Sequence, residues 1–78
     1  MMSKTYHVGL AKGGHYHGGS ESTLIVQARR SIDFLSCELW KYMGERETTK
    51  AQLKARKDEI LASVNAQYGT AFNRVVID

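Results

Sequence analysis

The three histidines, His7, His15 and His17, fall close together near the start of the chain, and His15-Tyr16-His17 is bracketed by the pairs Gly13-Gly14 and Gly18-Gly19. Neutral imidazole ligates zinc, copper or nickel, and a His-x-His pair in an extended segment turns both rings to one side. A closed site would need a further donor, for which Cys37, Glu21 and Glu38 are the candidates, but nothing in the spacing joins them to the histidines. Imidazole also titrates near neutrality, so the same residues could move a proton in RNA cleavage, with Lys12 or Arg29 stabilising the charged intermediate. No motif brings a nucleophile, a base and an orienting partner together, and a glycine-flanked loop preorganises them poorly. A phosphate-cradling loop would require Gly-Lys-Ser or Gly-Lys-Thr, or Gly-x-Gly-x-x-Gly, and neither occurs. The expectation is a non-catalytic protein with no cofactor and no metal. In it, His15, Tyr16 and His17 form an adaptable loop that orders against a partner.

The second candidate is a basic stripe. Lys50, Lys54 and Lys57 recur at i, i+4 and i+7, which places them on one side of a helix. Arg46 and Arg56 flank the stripe, and Arg29 and Arg30 could extend it. A net charge of +3 and a pI near 9.2 allow such a face to meet phosphates or an acidic protein. The bland alternative is a solvated helix face, with Asp58 pairing Lys54 at i+4.

These residues need elements to hold them. Ile32, Leu35, Leu39 and Met43 recur at helical spacing, which predicts a helix over residues 31–43, capped by Ser31 and stopped by Gly44. Phe34, Cys37 and Trp40 widen its apolar side, and this helix is expected to be the element on which the rest packs. Before it, the alternation of Tyr6, Val8 and Leu10 predicts a strand over residues 5–11. Residues 23–30 read in two ways. The β-branched Thr23, Ile25 and Val26 favour a strand, whereas Leu24 and Ala28 continue the helical spacing of Ile32 and would give one long helix over residues 22–43. The strand is preferred, because a 22-residue helix is long for so small a domain.

After Gly44, residues 45–48 read as a polar link. Thr49 and Gln52 have the spacing of a capping box, so a second helix should start there, run through Leu53, Ile60, Leu61, Val64 and Tyr68, and end at Gly69. The tail, residues 71–78, is rich in β-formers and reads as a strand that pairs with an N-terminal strand or with another subunit. The sum is one α+β domain of order β-β-α-α-β: two or three strands with an antiparallel helical hairpin on one face. An unpaired sheet edge makes a homodimer by strand addition an even alternative to a monomer.

At 78 residues with 42% hydrophobic content the chain is expected to form a single core. No run approaches the roughly 20 apolar residues of a membrane span, and the N-terminus lacks a secretory hydrophobic region. With Cys37 as the sole cysteine, a cytoplasmic setting without membrane attachment is expected.

One small domain of strands and helices, one Cys, no Pro, and the strand-to-cap run Thr23-Leu24-Ile25-Val26-Gln27-Ala28-Arg29-Arg30-Ser31 resemble the small phage-encoded proteins that inhibit bacterial functions or defence systems, the anti-CRISPR proteins among them. The resemblance carries over no functional residue. What it implies is a mechanism by stoichiometric occupancy of a bacterial protein or nucleoprotein machine. The alternative is a small basic DNA- or RNA-binding regulator.

Overall fold

The structure is a computed structural model, and it describes residues 4–15, 22–32 and 39–78. Its frame is a four-stranded mixed sheet. Strand β1 spans Lys4–Lys12, β2 Thr23–Arg29, β3 Lys41–Thr48 and β4 Arg74–Ile77, in the spatial order β3-β1-β2-β4. Strand β1 runs antiparallel to both neighbours, while β4 lies parallel to β2, with Leu24 opposite Val75 and Val26 opposite Ile77. Helices α1 (Lys50–Ala55) and α2 (Lys57–Tyr68) connect the edge strands β3 and β4.

The period-two pattern of β1 sorts its residues as expected. Val8 and Leu10 join Leu24, Val26, Val64, Phe72 and Val75 in the core beneath the helices. Strand β2 is confirmed as a strand, and it is buried on both alternations: Ile25 and Gln27 are as inaccessible as Leu24 and Val26. Trp40 packs edge-on against Tyr68 and Phe72, each with centroids 5.5 Å apart, and is partly buried against the core.

The second helix starts as predicted. Thr49 Oγ1 accepts from the Gln52 amide at 3.1 Å, while Gln52 Oε1 accepts from the Thr49 amide at 3.0 Å. It does not run unbroken. At Arg56 (φ −114°, ψ 24°) the amide donates to the Leu53 carbonyl, a tighter i−3 bond that separates α1 from α2. Gly69 closes α2 in the left-handed conformation, φ 64°. Asn65 then anchors the return to β4: its side chain donates to the Phe72 carbonyl at 2.9 Å and accepts from the Phe72 amide at 3.0 Å and the Thr70 hydroxyl at 2.8 Å. The tail pairs with β2, one of the two partners expected for it.

The main correction concerns the predicted helix over residues 31–43. Residues 33–38, with Phe34, Leu35 and Cys37, lie outside the described residues, but Lys41, Tyr42 and Met43 are strand and Ile32 is 49% exposed. Gly44 is not a helix stop. It sits at φ 90° beside a bulge in β3, where pairing passes from Val8–Gly44 to Gly9–Tyr42 and leaves Met43 as the extra residue. The presumed link, residues 45–48, completes this edge strand, so the sheet has four strands rather than two or three. The hairpin expectation thus falls partly on strand and partly outside the described residues. Helical spacing misled here because Met43 faces the core from a bulge, which mimics a helical repeat without making one. Among the described residues, no helix is long and apolar enough to cross a membrane.

Candidate functional site

The helices pack toward β4 and leave a groove of about 460 Å³ between themselves and the β3-β1 side of the sheet. Leu53, Ile60 and Val64 form its helical wall, spaced by seven and four residues along nearly continuous helix. Val8, Leu10 and Val26 supply the floor, and Met43 closes the side next to β3. The bulge aims Met43 inward, and the Tyr68 hydroxyl, donating to its sulfur at 3.0 Å, holds it there.

Polar groups stand along the rim. Arg56 pairs with Glu59 at 3.1 Å across one helical turn. Arg46 faces them from β3, and its guanidinium donates to the Glu45 carbonyl at 2.9 Å; among the described residues no carboxylate pairs with it. The groove therefore combines an apolar floor with one guanidinium that has donors to spare.

The predicted site residues are scattered by comparison. Lys50 stands half-buried at the start of α1, and Lys54 and Lys57 are exposed on either side of the Arg56 break. The expected Lys54–Asp58 ion pair is not formed, since the break separates the two residues. Arg29 does not extend the stripe: it pairs with the Asp78 carboxylate, on the sheet face away from the helices. Arg30 lies over the Tyr6 ring, 5.9 Å from its centroid. His15 ends a short 3-10 turn, Gly13–His15, while Tyr16 and His17 lie outside the described residues. His7 lies on β1, where its Nδ1 shares a hydrogen bond with the Tyr42 hydroxyl at 3.1 Å and lies 3.6 Å from Glu45 Oε1. Among the described residues no group of three metal-ligating side chains converges.

Sequence reasoning missed Arg46 and Met43 as groove residues, because both belong to a strand that it took for a helix end and a linker. Only Leu53, Ile60 and Val64 carried a usable signal, and that signal was core periodicity. No family model, no curated protein and no solved structure matches the sequence.

Proposed function

We propose that this protein is a non-catalytic binding module that acts by occupancy, its groove receiving an apolar side chain from a partner segment with a neighbouring carboxylate. The observation that carries this reading is Arg46: a guanidinium without a carboxylate partner among the described residues, beside a groove walled by the half-buried Met43, Leu53 and Ile60. Apolar clefts with a few placed polar groups are the usual form of binding sites, and Arg is the side chain suited to planar, bidentate recognition of a carboxylate. The basic net charge favours encounter with an acidic partner. A stoichiometric inhibitor of a bacterial protein or nucleoprotein machine, of the phage-encoded kind, would work in this manner.

The second reading is direct nucleic-acid binding, favoured by the exposure of Lys54 and Lys57. Affinity capture from bacterial lysate with and without nuclease, run in parallel with Arg46→Glu and with Lys50, Lys54 and Lys57 replaced together by Gln, separates the two. The groove reading expects one stoichiometric protein, retained after nuclease and bound at least about tenfold more weakly by Arg46→Glu. Recovery that disappears with nuclease, falls steeply with salt and depends on the lysines establishes the second reading instead.

A further inference from the structure

We propose that β4 is a self-association edge, through which two copies of this chain join their sheets into one. The proposal concerns a different surface from the groove and stands or falls independently of it.

Both ends of the sheet are edges among the described residues, and they are built differently. Strand β3 carries the Met43 bulge, a left-handed Gly44 and the charged run Glu45-Arg46-Glu47, all devices that spoil pairing with another strand. Strand β4 has regular register along its length, and Val75-Val76-Ile77 at its centre carries no charge.

The backbone bonds fix which groups face outward. Arg74 donates its amide to the Ser22 carbonyl, and Asp78 donates to Val26 and accepts from Ala28. Even-numbered residues of β4 thus turn their amides and carbonyls toward β2. By alternation, those of Val75 and Ile77 point away from the sheet. A second copy running antiparallel, with the two-fold axis at Val76, sets Val75 of each chain opposite Ile77 of the other, so that these outward groups exchange hydrogen bonds. The same register sets Val76 against Val76 and Arg74 against Asp78. Centring the axis on Val75 instead would leave Arg74 opposite Val76. Charge complementarity selects the first register. The side chains also stay in phase: Val75 and Ile77 are on the core side in both copies, so the apolar layer continues across the junction. The shortness of the strand makes the dimer weak and concentration-dependent, a reversible partner of the monomer.

The test is light scattering and sedimentation over the soluble concentration range, with two variants. Arg74→Glu, at an exposed position, should weaken self-association about tenfold by turning two symmetric attractions into repulsions. Its melting temperature should stay unchanged. Val76→Cys in a Cys37→Ser background places two thiols on the axis, where directly opposed non-hydrogen-bonded residues have Cα atoms about 4.5 Å apart, within disulfide reach. Oxidised glutathione should convert it to a covalent dimer. A protein that stays monomeric at every concentration overturns the proposal. So does a dimer that Val76→Cys fails to cross-link, and Tyr42→Cys cross-linking in its place would move the interface to β3.

Discussion

Strands β2 and β3 both pair with β1 in the same sheet, yet β2 is buried along nearly its whole length while β3 is largely exposed. The contrast follows from position. Strand β2 has a hydrogen-bonded neighbour on either side, and residues of both its alternations are buried, so its centre is the apolar run Leu24-Ile25-Val26. Among the described residues β3 is bonded on one side, and most of its residues are exposed. A central strand must be specified by hydrophobic content, whereas an edge strand can be held by its partner's register and carry charges that keep other strands away.

The contrast predicts that the heaviest stability losses lie in β2. Leu24 is 0% exposed and belongs to the core that the helices cover. Leu24→Ala should cost about 2–5 kcal/mol, the transfer free energy of the lost side chain plus the cavity it leaves. Urea denaturation followed by far-ultraviolet circular dichroism would measure it. A loss below about 1 kcal/mol would mean that the site collapses freely and that β2 is not the rigid centre of the sheet.

The same contrast explains what was legible before the structure. The alternation of Tyr6, Val8 and Leu10 and the β-branched run of β2 each have one dominant physical cause, burial, and both strands were read correctly. Thr49, Gln52 and Gly69 work through local backbone chemistry, which needs no tertiary context, so the helical region was read to its boundaries, though not its break at Arg56. Strand β3 has neither kind of signal. Its β-formers are few, its one core-facing apolar side chain, Met43, sits at a bulge, and pairing with β1 supplies the rest. The groove was illegible for the same reason, since Arg46 and Met43 acquire their place only from that pairing. The histidine loop, by contrast, was conspicuous in the sequence, but Tyr16 and His17 lie outside the described residues, and His7 pairs with Tyr42 on β3.

Edge strand β3 should nonetheless have one sensitive point. Gly44 adopts φ 90°, a conformation that L side chains rarely take, although a Cβ there would meet nothing closer than Arg46 Nη1 at 3.5 Å. Gly44→Ala should therefore cost about 1–2 kcal/mol through backbone strain alone, and Gly44→Asn less, because Asn tolerates positive φ better. Thermal melts of the two variants compare them directly. Equal losses would point to crowding rather than strain.

Within β2 the sign can reverse. Gln27 is 1% exposed, its Oε1 has no hydrogen-bond partner among the described residues, and its Nε2 reaches Asp78 only at 3.4 Å. Gln27→Leu removes a buried polar atom whose desolvation no described residue compensates, and should stabilise the fold by about 1 kcal/mol. Loss of stability would show that the long contact to Asp78 matters more than the orphaned oxygen. The Arg29–Asp78 pair beside it makes Gln27→Leu more informative than any change at Arg29.

The smallest effect is expected on the outer face of β3. The Tyr42 hydroxyl and His7 Nδ1 share a hydrogen bond at 3.1 Å between rings tilted by 31°, and Tyr42 is 42% exposed. Water can replace either partner at such a site, so Tyr42→Phe should shift stability by less than about 0.5 kcal/mol. The measurement sharpens the comparison because the bond ties β3 directly to β1, where the backbone ladder has just been interrupted by the bulge. A loss above about 1 kcal/mol would mean that the side chain replaces the missing rung. The edge strand would then owe its register to specific polar contacts as well as to its neighbour, and exposure would no longer separate β3 from β2.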